Sequence, residues 1–280
     1  MSATASDSGR IAFIGGGTMA RSLIGGLIRT GMSAQRIAAA EPNAELRDSL
    51  AREFAIAAHA SNADAARDAN IVVLAVKPQM MKTVCAGLRE VTQSAHPLVV
   101  SVAAGITIAQ LDDWLGGNVA VVRCMPNTPA LIGAGATGLC ANARVTSGQR
   151  AIAQNIMDAV GLSRWIDDES AMDTVTALSG SGPAYFFLLV EALEEAAVAQ
   201  GLPRDAAREL AAQTCLGAGR MLRESNVDAA ELRRRVTSPG GTTQAALESF
   251  AADNFSDIVA RAVAAAKKRG GELSKQMDAS

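Results

Sequence analysis

The apolar and polar positions fall into two halves of different rhythm. From Arg10 to about Asp168, short apolar runs rich in β-branched residues alternate with longer stretches of helical periodicity. The runs are Ile11-Ala12-Phe13-Ile14, Arg36-Ile37-Ala38-Ala39-Ala40, Ile71-Val72-Val73-Leu74-Ala75-Val76, Leu98-Val99-Val100-Ser101-Val102 and Val119-Ala120-Val121-Val122-Arg123. Weaker ones follow at Thr137-Gly138-Leu139-Cys140 and Ser163-Arg164-Trp165-Ile166. Runs that are apolar throughout predict strands buried on both faces, and the segments joining them are long enough for crossover helices. This half therefore reads as α/β, with a doubly wound, mostly parallel sheet.

After about Glu169 the β-branched runs give way to alanine and leucine, and apolar residues recur at helical spacing through 183–200, 204–223, 242–252 and 256–276. The second half reads as an all-α domain. One of its helices, Pro183-Ala184-Tyr185-Phe186-Phe187-Leu188-Leu189-Val190, is apolar nearly all round, which calls for burial on every side and points to a subunit interface. The small residues of 210–219 permit close helix approach and point the same way. The expected organisation is a polar, disordered tail over 1–9, a nucleotide-type domain over 10–168 and a helical domain over 169–280.

Composition narrows the classes. A chain of 280 residues buries a substantial core without staples. The four cysteines, Cys85, Cys124, Cys140 and Cys215, are scattered, and the two histidines, His59 and His96, complete no metal-ligand spacing, so no metal site is expected. A net charge of -2 with interspersed signs argues against nucleic acid as a partner. The one dense basic spot, Arg233-Arg234-Arg235, reads as a solvated helix face or as an anion-attracting rim. The N-terminal residues lack the apolar segment of a signal peptide, and no uncharged apolar run approaches the ~18 residues of a membrane span. A cytoplasmic protein without membrane partners is the expectation.

Directly after the first strand stands Gly15-Gly16-Gly17-Thr18-Met19-Ala20, a G-x-G-x-x-A turn opening a helix that runs to about Thr30. Glycines there permit the tight turn and let a pyrophosphate approach backbone amides at a helix N-terminus. Glu41 ends the second strand, where an acid accepts hydrogen bonds from an adenosine ribose and repels a 2'-phosphate, a lean towards NADH or dual use; as a helix-start residue beside Pro42 and Asn43 it has a plainer reading. Ala75-Val76-Lys77-Pro78 and the segment holding Ala103 and Ala104 lie at strand C-termini, where open α/β sheets bind their ligands. Asn127, in Met125-Pro126-Asn127-Thr128-Pro129, offers a donor and an acceptor at the end of the fifth strand and is expected to contact the cofactor there.

What is missing is also informative. There is no lysine between Lys82 and Lys267, both histidines lie in the first half, and the only tyrosine, Tyr185, is followed four residues later by Leu189. Reducing a carbonyl to an alcohol needs an acid that this chain lacks. A protonated imine is already electrophilic, and its reduction asks mainly for orientation and for a grip on any carboxylate. Two hydroxyl- and glycine-rich turns suit that task, Ser179-Gly180-Ser181-Gly182-Pro183 and Ser238-Pro239-Gly240-Gly241-Thr242-Thr243, each placed before a predicted helix. Simple N-capping is the bland alternative, although Gly240-Gly241 exceeds what capping requires.

These segments, together with Phe13-Ile14 before the glycine turn, Arg123-Cys124 before Met125, Gln213-Thr214, Met221-Leu222 and Leu232-Arg233, resemble the pyrroline-5-carboxylate reductase family, in order and across both halves. The resemblance implies an N-terminal Rossmann domain and a helical C-terminal domain that interlocks two subunits, with decamers of five dimers in some members. It implies reduction of 1-pyrroline-5-carboxylate to L-proline by NADPH or NADH, with Thr243 on the ring nitrogen, backbone amides around Gly241 and Thr242 on the carboxylate, and Ser179, Ser181, Gly182 and Gly240 completing the substrate site. Asn62 resembles the family residue near the adenosine half of the cofactor. Many relatives carry a serine or a basic residue where Glu41 stands, and some place a substrate-contacting glutamate where Asn226 stands. The competing readings are a β-hydroxyacid dehydrogenase, whose helix lysine is absent here, and a non-catalytic nucleotide-binding scaffold, which would have no use for the paired turns.

Overall fold

A computed structural model describes residues Gly9–Asp278. The expected tail lies outside them except for Gly9, whose carbonyl accepts from Arg36 Nε at 3.1 Å. The chain packs as two compact units: residues up to Ser181 together with those from Ala266 onward, and Gly182–Ala265.

The first unit alternates strands and helices: β1 (Ile11–Ile14), α1 (Thr18–Arg29), β2 (Ile37–Ala40), α2 (Ala44–Phe54), β3 (Ala57–His59), α3 (Asn62–Ala66), β4 (Ile71–Leu74), α4 (Met81–Ala95), β5 (Leu98–Ser101), α5 (Ile108–Trp114), β6 (Val121–Met125), β7 (Gly135–Ala141), α6 (Ser147–Asp158), β8 (Gly161–Trp165) and α7 (Met172–Val175). The strands form one sheet in the order β3-β2-β1-β4-β5-β6-β7-β8, parallel except for the antiparallel pair β6–β7. The chain order reverses beside β1, so the C-terminal ends of β1 and β4 flank the crevice in which such sheets bind ligands. Two apolar layers cover the faces: Ile11 and Phe13 enter one, Ala12 and Ile14 the other. Burial of alternate residues on opposite faces is why these strands read as unbroken apolar runs.

The expected strand over 119–123 lies two residues further on. Val119 N donates to Asp112 Oδ1 at 2.8 Å and Asn118 is left-handed (φ +61°), so the segment is still turning where its composition already suggests a strand. β3 has no counterpart in the sequence reading, because its three residues include no β-branched side chain. The β6–β7 link carries only a short 3-10 turn (Thr128–Ile132) and the left-handed Gly133; with no crossover helix, β7 must run back antiparallel. At the far edge of the sheet, β8 is tied to the end of α6: Ser163 N donates to Asp158 Oδ1 at 3.0 Å and the Ser163 hydroxyl to the same oxygen at 2.5 Å.

The second unit holds α8 (Gly182–Ala199), α9 (Arg204–Glu224), α10 (Ala229–Arg235), α11 (Thr242–Ala252) and the first part of α12 (Phe255–Asp278). In the single chain α8 leaves Phe186, Phe187 and Leu188 exposed, Phe187 by 68 %. The basic run lies on α10, where Glu231 pairs with both Arg234 and Arg235. Among the described residues no helix is long and apolar enough to cross a membrane.

Candidate active site

Gly15 has φ +102°, and a Cβ there would stand 2.8 Å from the Ala75 carbonyl oxygen, so this position admits only glycine. Gly16 is wedged against Leu50 and Glu41, whereas a Cβ on Gly17 would meet nothing within 4 Å. Gly17 is also the N-cap of α1 and no side chain bonds that end. Gly17 and Thr18 are exposed and Met19 half-buried at the positive end of the helix, with Ala20 buried beneath them, a setting for phosphate oxygens on the first-turn amides.

Glu41 lies beside this turn. Its Oε2 accepts from Gly16 N and its Oε1 from Asn43 N, each at 3.0 Å, so the side chain is fixed before any ligand arrives. Arg47 donates to the carbonyls of Glu41 and Pro42, at 3.1 and 3.2 Å, and not to the carboxylate. The carboxylate faces the turn. Asn62 opens α3 just past the end of β3, after the N-cap Ser61. Ala75 and Val76 leave the end of β4 half-buried, Lys77 is exposed, and Pro78 opens a short 3-10 turn. Past β5, Ala103 is buried and Ala104 exposed. Glycine turn, uncapped helix, acid and small-residue strand ends all lie within the first unit, and together they fit a dinucleotide.

Asn127 is nearly buried and both its polar atoms are engaged: Nδ2 donates to the Ser179 carbonyl and Oδ1 accepts from Ala136 N, each at 2.9 Å. The segment it holds corrects one expectation. Residues 179–183 do not open a fresh helix, because the chain is already helical from Met172 and passes through a π-helical turn, Thr176–Gly180, before α8. Ser181 N is bonded to the Thr176 carbonyl at 2.8 Å and the Ser179 hydroxyl donates to the Val175 carbonyl at 3.0 Å. Serines bond back in this way wherever a helical carbonyl is within reach, which a Ser/Gly-rich string does not reveal. The second turn meets its expectation: Gly241 is the N-cap of α11 with no side-chain cap, Gly240 is left-handed at φ +70°, and Thr242 and Thr243 form the first turn. Gly240 N donates to Gln244 Oε1 at 2.8 Å, which fixes the loop.

A buried ion cluster escaped the sequence reading. Arg123, its side chain 5 % exposed on β6, pairs with Glu169 at 3.0 Å and Asp173 at 3.6 Å, and Glu169 also accepts from Ile108 N at 2.8 Å. An arginine in an apolar run was the available signal, since such a group is buried only when paired. Cys85, Cys124 and Cys140 are buried and Cys215 partly so; burial pushes the Cys85 thiol up to about 12 and those of Cys124 and Cys140 upward. Among the described residues no cluster of acids, histidines and cysteines could hold a metal.

Comparison with known proteins matches two segments of the chain. Residues 169–273 match the family described as pyrroline-5-carboxylate reductase dimerisation, and residues 10–105 match the one described as NADP oxidoreductase coenzyme F420-dependent. The pyrroline-5-carboxylate reductase of Pseudomonas aeruginosa is 53 % identical over 268 residues, covering 96 % of this chain and 98 % of its own. Among solved structures, the Coxiella burnetii pyrroline-5-carboxylate reductase superposes with a TM-score of 0.93 at 42 % identity, covering 96 % of this chain and 99 % of its own. The Plasmodium falciparum pyrroline carboxylate reductase, solved with NADP bound, does so with 0.82 at 30 % identity, covering 95 % and 98 %. With both segments matched and near-complete coverage at these identities, the chain belongs to the pyrroline-5-carboxylate reductase family.

Proposed function

We propose that this chain reduces 1-pyrroline-5-carboxylate to L-proline with NAD(P)H, the last step of proline biosynthesis. The observation that carries the reading is the N-terminus of α11 behind Gly240-Gly241, which no side chain caps, a grip for a small carboxylate, in a chain aligned over 96 % of its length with a reductase of that name. When bound, NAD(P)H supplies the hydride for the C=N bond; Gly15, Gly17, Thr18, Met19 and Ala20 would hold its pyrophosphate, Glu41 and Asn62 its adenosine side, and Ala75, Val76, Lys77, Pro78, Ala103 and Ala104 the strand ends along which it lies.

On this reading backbone amides around Gly241 and Thr242 hold the substrate carboxylate, the Gly241 N–H itself being given to the Ser238 carbonyl at 3.0 Å, and the Thr243 hydroxyl orients the ring nitrogen without serving as a strong acid. An imine protonated in solution or on binding loses its charge as the bond is reduced, so no alkoxide needs a proton donor. Ser179, Ser181 and Gly182 complete the substrate side. The chain works as a homo-oligomer built on its helical part; a dimer, five of which join as a decamer, and a cytoplasmic location complete the proposal.

The test is steady-state oxidation of NADH and NADPH by the purified protein with 1-pyrroline-5-carboxylate. Substrate-dependent oxidation is expected. In Thr243→Ala, kcat should fall by about tenfold or more while NADH binding survives, as removal of one orienting hydrogen bond in an enclosed site costs on the order of 1–3 kcal/mol. Protein that binds nucleotide but oxidises neither cofactor would sink the assignment and favour the scaffold reading.

A further inference from the structure

Asn127 stands at the C-terminal end of β6 and reaches 52 positions along the chain to Ser179. Its orientation is fixed by chemistry: the Ala136 amide can only donate, so it takes Oδ1, and the Ser179 carbonyl can only accept, so it takes Nδ2. The Ser179 carbonyl needs that donor. In a regular helix it would accept from the residue four positions on, which is Pro183 and has no N–H. A second contact presses the same turn against β6, because a Cβ on Gly180 would lie 2.5 Å from Met125 Cε. From β7, Gly138 leaves the room that Val175 occupies, a Cβ there standing 2.6 Å from Val175 Cγ1. The turn is thus held from outside at its start and its end, and π turns inside α-helices frequently mark functional sites.

We propose that Asn127, expected from the sequence to contact the cofactor, is instead a positioning residue for the substrate turn: both its polar atoms are engaged by protein, and its carboxamide replaces the donor missing at Pro183 and so sets where Ser179 and Ser181 stand. This rests on the reductase reading above, in which those serines belong to the substrate site. Asparagine is required by the pairing, since aspartate lacks the donor and leucine lacks both functions.

The test is Asn127→Asp. The variant keeps the acceptor for Ala136 N and turns a carboxylate oxygen towards the Ser179 carbonyl. At pH 7.5 the KM for 1-pyrroline-5-carboxylate is expected to rise at least about tenfold, the effect of losing one hydrogen bond and setting two acceptors face to face. The dissociation constant for NADH, followed by nucleotide fluorescence, should stay within about twofold. On acidification the variant carboxyl gains an O–H donor, so the ratio of variant to wild-type KM should fall towards one; a purely structural defect would leave that ratio flat. Wild-type KM in the variant, NADH binding weakened in step with KM, or a pH-independent ratio would each overturn the proposal. If Asn127→Asp does not fold, Gly180→Ala disturbs the turn through Met125 and should raise the substrate KM with NADH binding intact; unchanged KM there would overturn it equally. Failure of the reductase reading shows in the wild type as absence of turnover, and failure of this proposal shows only in the variants.

Discussion

Glu41 illustrates how much one side chain can settle. Both its oxygens are held by backbone amides and, among the described residues, no basic side chain pairs with them, so the carboxylate is placed beside the glycine turn by the fold itself. A 2'-phosphate approaching it would be repelled, whereas ribose hydroxyls could still donate to it. In Glu41→Ser the ratio of kcat/KM for NADPH to that for NADH should rise by about tenfold or more, equivalent to ~1.4 kcal/mol; an unchanged ratio would mean that this charge is not read. Glycine turn, acid and the 238–243 motif were legible in the sequence because each is a local string whose chemistry follows from its own backbone. Asn127 and Arg123 were less so. Their partners lie 52 and 46 residues away, and which atoms meet is decided by strand order, which composition does not specify.

Among the elements, β1, β4 and β5 and the long helices were plain from periodicity, since each has one dominant pattern. The exceptions share a cause. β3 is too short to show a pattern, β6 begins late because a turn at Asn118 overrides its apolar composition, and the π turn arises where serines and a proline compete with the regular helical bond. Helix α8 was legible for the opposite reason: a surface apolar all round has no solvent face to assign. Its exposed Phe186, Phe187 and Leu188 predict that Phe187→Glu weakens self-association by about a hundredfold or more, as burying an unpaired charge costs several kcal/mol. Sedimentation velocity across a concentration series would read this as a shift to monomer; an unshifted distribution would place the interface elsewhere.

For the whole molecule, the covered faces of the sheet make its stability depend on alkaline pH. The folded chain keeps the Cys85 thiol protonated up to about 12 against an ordinary value of 9.0, so its stabilising contribution is complete below 9 and is lost as pH climbs between the two. Iodoacetamide at pH 8 should therefore leave Cys85, Cys124 and Cys140 unmodified in the native protein, with any adduct confined to Cys215; intact-mass and peptide analysis would show it, and rapid alkylation of the three would contradict their burial. The two-part plan was readable from the change of rhythm near residue 169, whereas the return of the residues after Ala266 to the first unit was not, because one uninterrupted helical pattern, that of α12, serves both units.

The tie between Ser163 and Asp158 has a consequence beyond fixing a loop. β8 is the outermost strand of the sheet, and an outermost strand carries unpaired amides on which another chain can template. Asp158 occupies one of them with a carboxylate from the helix just before, and Arg164 places an exposed charge next to it. At the opposite margin β3 is only three residues long, too brief to seed a ladder. Both margins are thereby blunted against further strands, which disfavours open-ended, fibre-forming addition to the sheet.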